Sequence, residues 1–270
     1  MAGDLSIGGR TFALRLPSAA PADHPVPLVL ALHGNHPDAT GRMMRESTTF
    51  DEQADAYGFA VAYPDGQGGC WADGRGVTTA DEAGIDDVGF LRAVIDWCAE
   101  RHGTAPDSAV VAGVSNGAFM AHRFALEAGS RVAVLAAVAG GMPAALRDRP
   151  PTHAVSALLI HGTADTLAPI AGGYSRHRGP NGELRGRTLS LAETADRWRA
   201  IDRCPSGAGQ TRTTEFADRT TVDGGVGGTR VVAWSLHGVG HTWPGAPFDT
   251  AEEICRFARP LLVSARARRL

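Results

Sequence analysis

The chain has 270 residues, 43% of them hydrophobic, and a formal net charge of −3. That is enough apolar material for a sizeable core, and a single large α/β domain over residues 1–270 is expected rather than two small ones. The charge balance argues against a nucleic-acid partner, because the one basic cluster, Arg266, Arg268 and Arg269, reads as a solvated tail. No apolar run approaches the roughly 18 residues needed to span a bilayer, so no membrane partner is expected. The segment Met1-Ala2-Gly3-Asp4 carries neither a basic region nor an apolar stretch of the kind that directs export. As it stands the chain reads as soluble and cytoplasmic, or as secreted if a leader has been removed. Oligomeric state is left open.

Cys70, Cys98, Cys204 and Cys255 include no C-x-x-C pair and so carry no zinc or thioredoxin-like signature. Cys98 and Cys255 fall on apolar helix faces and are expected to pack as small hydrophobes. Cys70 and Cys204 sit in loops or helix ends, where a disulfide in an exported protein stays open without an assignable pairing.

Taken in order, residues 1–24 read as a hairpin and linker. Leu5 and Ile7, the turn Gly8-Gly9, then Phe12, Leu14 and Leu16 alternate as two short antiparallel strands would, and a Pro/Ala stretch follows. Pro27 to Leu32 is apolar at every position, the pattern of a parallel strand buried on both faces, and it ends at His33-Gly34-Asn35-His36-Pro37. Thr49 with Glu52 forms a capping-box signature for a helix carrying Phe50, Ala54 and Tyr57 and ending at Gly58. The strand Phe59 to Tyr63 closes at Pro64-Asp65-Gly66. Trp71 lies in the Gly-rich segment that follows, where an aromatic side chain either lines a pocket or pins the loop to the core. Ile85, Val88, Leu91, Val94, Ile95 and Cys98 make one stripe of an amphipathic helix, with Asp81, Glu82, Asp86 and Asp87 in structural positions near its N-terminal end.

Val110 to Met120 is the stretch around which the rest is arranged. An apolar run breaks at Gly113-Val114-Ser115-Asn116-Gly117 and turns helical, the pattern of a nucleophile elbow in which small flanking residues permit a strained strand-to-helix turn. A plain turn with a serine cap fits the same five residues. Apolar strands recur at Val132 to Val138 and at Ala157 to Ile160, the latter ending at His161-Gly162-Thr163-Ala164-Asp165. The polar stretch Gly172 to Thr188 exceeds an ordinary connection and is expected to be functional or mobile, near the active site. Ser190 and Glu193 cap the next helix. A hairpin turning at Asp223-Gly224-Gly225 leads into the strand Val231 to Leu236, then His237-Gly238-Val239-Gly240-His241-Thr242-Trp243-Pro244-Gly245, then a last helix from Asp249. Strands alternating with helices predict a mostly parallel twisted sheet with helices on both faces and an N-terminal antiparallel hairpin.

A serine hydroxyl needs a base to take its proton and a third group to orient that base. Asp165 and His241 supply both, each in the loop after a predicted strand and in the chain order Ser, Asp, His of α/β-hydrolases. The backbone N–H groups of Asn116 and Asn35 are the candidates for an oxyanion hole. His237 and His241 have metal-ligand spacing, but the intervening glycines preclude a helix, so no metal and no cofactor are expected. Trp71 and Trp243 are the candidates for substrate contact.

The segments Leu32-His33-Gly34, Tyr63-Pro64-Asp65-Gly66, Asp86 to Leu91, Gly113 to Gly117, His161 to Asp165 and Gly240-His241-Thr242-Trp243-Pro244-Gly245 resemble the polyhydroxybutyrate depolymerase and feruloyl esterase group of α/β-hydrolases, over roughly residues 25–260. The resemblance implies the α/β-hydrolase fold and metal-free hydrolysis of a carboxylic ester, small, oligomeric or polymeric, through Ser115, Asp165 and His241. It favours secretion. Asn35-His36 departs from the group, which often has a cysteine-containing turn there. An acetylxylan or other short-acyl esterase, a peptidase or thioesterase, and a non-catalytic binding module on the same fold are the alternatives.

Overall fold

The computed structural model describes residues 5–19, 25–174, 178, 181–184, 186–207, 209–245 and 248–267. Met1 to Asp4, residues 20–24 of the linker, part of the 172–188 stretch, and Arg268 and Arg269 lie outside the described residues. The strands are β1 (Leu5–Ile7), β2 (Arg10–Arg15), β3 (Leu28–Leu32), β4 (Ala60–Pro64), β5 (Ala109–Val114), β6 (Val132–Val138), β7 (Ser156–Gly162), β8 (Gly173–Tyr174), β9 (Arg187–Thr188), β10 (Gln210–Thr213), β11 (Ala217–Val222) and β12 (Val231–Leu236). The helices are α1 (Gly41–Glu46), α2 (Phe50–Tyr57), α3 (Thr79–Glu82), α4 (Asp87–His102), α5 (Asn116–Glu127), α6 (Leu191–Ile201) and α7 (Thr250–Ala267).

Ten strands form one sheet in the order β1-β2-β4-β3-β5-β6-β7-β12-β11-β10. The six from β4 to β12 run parallel, while the β1–β2 hairpin and the β11–β10 pair add antiparallel wings. Side chains alternate between two cores, as the two-residue period of a strand requires. Leu28, Leu30 and Leu32 of β3 with Val111 of β5 pack beneath α4, α5 and α6. Val29, Ala31, Val110 and Ala112 pack beneath α1, α2 and α7. Because both faces are covered, β3, β4 and β7 are buried at every residue, which is why they read as unbroken apolar runs.

The expected cap on α6 is present, with Ser190 and Glu193 forming a reciprocal capping box, and Asp86, expected only in a structural position, caps α4 by accepting from the Gly89 N–H. The capping box expected at Thr49 is not present. Thr49 Oγ1 donates instead to the Asp249 carboxylate, 2.7 and 2.8 Å from its two oxygens, and so ties α2 to the start of α7. The Thr49 backbone (φ −90°, ψ 15°) is not in the extended conformation of a capping residue, and the Glu52 N–H is already taken by the Thr49 carbonyl at 3.0 Å, which leaves the side chain for the distant carboxylate. All four cysteines are free thiols. Burial pushes Cys98 up to about 12 and raises Cys255 as well, as suits packing residues.

Candidate active site

The parallel strands end on one edge of the sheet, and Ser115, Asp165 and His241 gather there. Ser115 lies at the junction of β5 and α5 with φ 55° and ψ −118°, a conformation costly for a residue with a Cβ. Its two glycines explain how the turn is made. A Cβ on Gly113 would stand 2.3 Å from the Gly117 carbonyl, and one on Gly117 would stand 2.3 Å from Leu32 O and 2.5 Å from His33 O. The elbow therefore closes on itself and on the end of β3 at once. Its backbone is held by Ser115 N–H donating to Val138 O at 2.9 Å.

His241 and Asp165 meet Ser115 across 126 and 50 residues of chain. Nε2 of His241 is 2.8 Å from Ser115 Oγ, and Nδ1 is 2.7 Å from Asp165 Oδ2. A carboxylate only accepts, so Nδ1 carries the proton and Nε2 is free to accept from the serine hydroxyl. Asp165 has further partners. Oδ1 accepts from the amides of Leu167 at 2.9 Å and Ala168 at 2.8 Å, and Oδ2 also lies 3.3 Å from His161 Nε2. His161 Nε2 is 2.7 Å from Ala168 O, so that nitrogen is the protonated one and donates toward both oxygens. Burial alone would raise the Asp165 pKa, but the hydrogen bonds from His161, His241 and the Ala168 amide outweigh it and hold the carboxyl well below the usual range. His161 thus supports Asp165 from the end of β7. Its i, i+4 spacing to Asp165 was the available signal for this contact.

The loop after β3 faces the elbow. His33 is buried and bonded at both nitrogens, Nδ1 to Gly34 O at 2.7 Å and Nε2 to the Gly66 N–H at 2.9 Å. Burial lowers its pKa, keeping the ring neutral with Nδ1 as donor. Asn116 is buried, and its side chain is fully engaged: Oδ1 accepts from Trp71 N–H at 2.7 Å, and Nδ2 donates to Trp71 O at 3.1 Å and to Asp73 Oδ2 at 2.6 Å. Among the described residues neither the Asn35 nor the Asn116 backbone N–H has a protein acceptor, and both residues border the cleft that exposes Ser115.

That cleft has a volume of about 440 Å³ and is lined by Ser115, His241, Asn35 and Asn116 together with Val77, Phe119, Leu167, Arg75 and Arg178, among others. Trp71 is corrected by the structure. It is fully buried, with its indole N–H donating to His33 O at 2.9 Å and its ring tilted on His33, so it braces the loop after β3 from behind and does not reach the cleft. Trp243 is half-buried against Phe50, at a ring distance of 5.6 Å, and does not line the cleft either. The 172–188 stretch does border it, through Arg178, and its base is closed by pairing of β8 with β9. His237 turns away to Asp218, 3.0 Å from Nε2, so it does not converge with His241. Among the described residues no cluster of side chains suited to a metal ion is found, and no helix is long and apolar enough to cross a membrane.

A family model described as esterase PHB depolymerase matches residues 10–168. The protein named "Putative esterase NocK" from Nocardia uniformis subsp. tsuyamanensis is 32% identical over 284 residues, covering 99% of this chain and 78% of that one. The bifunctional acetylxylan esterase/xylanase XynS20E from Neocallimastix patriciarum is 27% identical over 145 residues, which is 52% of this chain and 19% of that protein. Among solved structures, the acetyl xylan esterase from Aspergillus awamori has the same fold, with a TM-score of 0.63 at 19% identity over 92% of this chain and 94% of that one. The chain belongs to the esterase PHB depolymerase family: it is a carboxylic ester hydrolase with the α/β-hydrolase fold.

Proposed function

We propose that this chain is a serine esterase whose catalytic groups are Ser115, His241 and Asp165. Ser115 Oγ attacks the ester carbonyl while His241 Nε2 takes its proton, then returns it to the leaving alcohol; water resolves the acyl-enzyme by the same route. Asp165 holds the imidazole in the tautomer that leaves Nε2 free. The negative charge that develops on the carbonyl oxygen is met by the Asn35 and Asn116 backbone N–H groups. The observation that carries this reading is the unbroken chain of contacts from Ser115 Oγ through His241 to Asp165, at 2.8 and 2.7 Å. Replacing Ser115 by Ala is expected to lower kcat by about a million-fold, and a fluorophosphonate probe is expected to label Ser115 in the folded wild type. Near-normal turnover by the Ser115→Ala variant would refute the assignment.

The acyl group in this reading is a hydroxyalkanoate or a feruloyl group, with Val77, Phe119 and Leu167 supplying apolar contact in a cleft of about 440 Å³. The acetylxylan esterase activity named for XynS20E, and the likeness to the Aspergillus awamori enzyme, favour a second reading, an acetyl ester of a sugar. Specificity constants across hydroxybutyryl, feruloyl and acetyl-sugar esters separate the two, and an acetyl preference above tenfold, roughly one charged hydrogen bond in magnitude, decides for the second.

A further inference from the structure

The charge around Ser115 is out of keeping with the rest of the chain. The protein carries a net charge of −3, yet the cleft is bordered by Arg75 and Arg178 and, among the described residues, by no Asp or Glu. Arg75 is fixed rather than free. Its Nε lies 3.0 and 2.9 Å from the two Asp73 oxygens, its Nη2 is 2.7 Å from Oδ2, and its guanidinium lies over the Phe119 ring at 4.0 Å. Asp73 is wholly buried and also accepts from Asn116, so it holds the guanidinium from below and exposes no charge of its own. The remaining nitrogen, Nη1, has no acceptor among the described residues. It lies beside Gly186 of the 172–188 stretch, where a Cβ would stand 2.9 Å from it. Arg178, on the same stretch, is exposed and makes no ion pair among the described residues. An ester with uncharged acyl and alcohol portions has no use for two guanidiniums. A carboxylate does, since planar guanidinium donors match its two oxygens.

We propose that the cleft selects esters carrying a carboxylate on the acyl or the alcohol portion, with Arg75 and Arg178 as the groups that receive it. This rests on the reading of Ser115 as nucleophile and adds the charge of the substrate to it. The carboxylate anchors the substrate while the ester carbonyl lies at Ser115, so anchoring raises kcat/KM for the anionic member of any matched pair.

Two matched pairs test this by pH-stat titration: monoethyl adipate against ethyl hexanoate, which places the carboxylate on the acyl side, and 3-acetoxybutanoate against 3-acetoxybutanamide, which places it on the alcohol side. A preference in kcat/KM of at least about tenfold for the anionic member of one pair is expected, the factor that one hydrogen bond to a charged group supplies, and the pair that shows it identifies the side. The preference is expected to shrink at high salt. It is also expected to move toward unity in Arg178→Ala, and in Arg75→Gln combined with Asp73→Asn, which removes the buried carboxylate along with its partner. Because each preference is a ratio within one protein sample, a general loss of activity cancels. Anionic and neutral esters used equally well in both pairs, or a preference that neither variant lowers, overturn the proposal while leaving the esterase reading intact. Turnover of none of the four esters with no fluorophosphonate labelling of Ser115 overturns both.

Discussion

Asn116 tests how the elbow is positioned, because its side chain is engaged by the core while its backbone N–H, which has no protein acceptor among the described residues, is a proposed oxyanion donor. Replacing it by Ala leaves the amide in place and removes three hydrogen bonds, from Trp71 N–H at 2.7 Å, to Trp71 O at 3.1 Å and to Asp73 Oδ2 at 2.6 Å. Not all three partners are orphaned. Trp71 O keeps Thr78 Oγ1 at 3.0 Å and Asp73 keeps Arg75, so only the Trp71 N–H is left buried without an acceptor. One orphaned buried donor costs about 1–3 kcal/mol and two replaceable bonds about 1 kcal/mol each, giving a loss of roughly 3–5 kcal/mol. For a chain of this size that lowers Tm by roughly 10 °C. The Asn116→Ala variant is expected to show that shift by calorimetry and, at a temperature where it is fully folded, a kcat reduced about 10- to 100-fold, less than the roughly 100- to 1,000-fold that removing a donor outright costs, because the proposed oxyanion donor is displaced and not deleted. Asn116→Asp is expected to be worse, since its second oxygen would meet the Asp73 carboxylate where Nδ2 now donates. A Tm within a degree of wild type (roughly 0.3–0.5 kcal/mol), or Asn116→Asp more stable than Asn116→Ala, would refute this account.

Asp165→Asn is expected to lower kcat by about ten-thousand-fold by favouring the wrong imidazole tautomer. Since the folded-state pKa of Asp165 lies below its unfolded value, its stabilising contribution is fully present above about pH 5 and fades as pH falls below about 4, so the Tm gap between wild type and Asp165→Asn is expected to be constant from neutral pH down and to narrow only in acid. Asp202 behaves in the opposite sense. Burial pushes it up to about 7, with Val155 N–H and Thr229 opposing, and its Oδ2 has no partner. Ionising Asp202 therefore costs stability progressively as pH rises from about 4 to 7, and Asp202→Asn is expected to melt above wild type at pH 8 and to converge with it near pH 4. Gly117→Ala would place its Cβ 2.3 Å from Leu32 O and is expected to destabilise by at least the roughly 1–3 kcal/mol of an overpacked core, with esterase activity falling further than Tm; activity within twofold of wild type (about 0.4 kcal/mol) would refute the close approach of the elbow to β3.

Legibility in the sequence followed burial. β3, β6 and β7 could be read because a strand covered on both faces must be apolar throughout, and the elbow because its close approaches admit only glycine. The convergence of Ser115, Asp165 and His241 was legible because each follows a strand, Ser115 at the β5–α5 turn and the other two in the loops after β7 and β12. The misses were of two kinds. β10 is exposed at all four residues, β8 and β9 have two residues each, and α1 has only six, too few to establish a period. The others turned on partners far away in sequence. Trp71 went to the core because its acceptors and donors, His33 and Asn116, are 38 and 45 residues distant, and Thr49 left its local cap for a carboxylate 200 residues on. Composition around Trp71 and Thr49 carries no trace of either partner.

The pairing of β8 with β9 bears on how this enzyme could be altered. Gly173 lies opposite Thr188 and Tyr174 opposite Arg187, and the outgoing strand is anchored by Leu189 N–H to Met142 O at 2.9 Å and by a bridge between Thr188 and Pro143. Both ends of the intervening stretch are thus fastened to the scaffold independently of what lies between them. Lengthening such a closed segment costs little, only about 0.6 kcal/mol per doubling. The ribbon is therefore a socket: segments of other length and composition can be grafted between Tyr174 and Arg187 to reshape one wall of the cleft, while β5, β7 and the loop after β12 continue to hold Ser115, Asp165 and His241 in place.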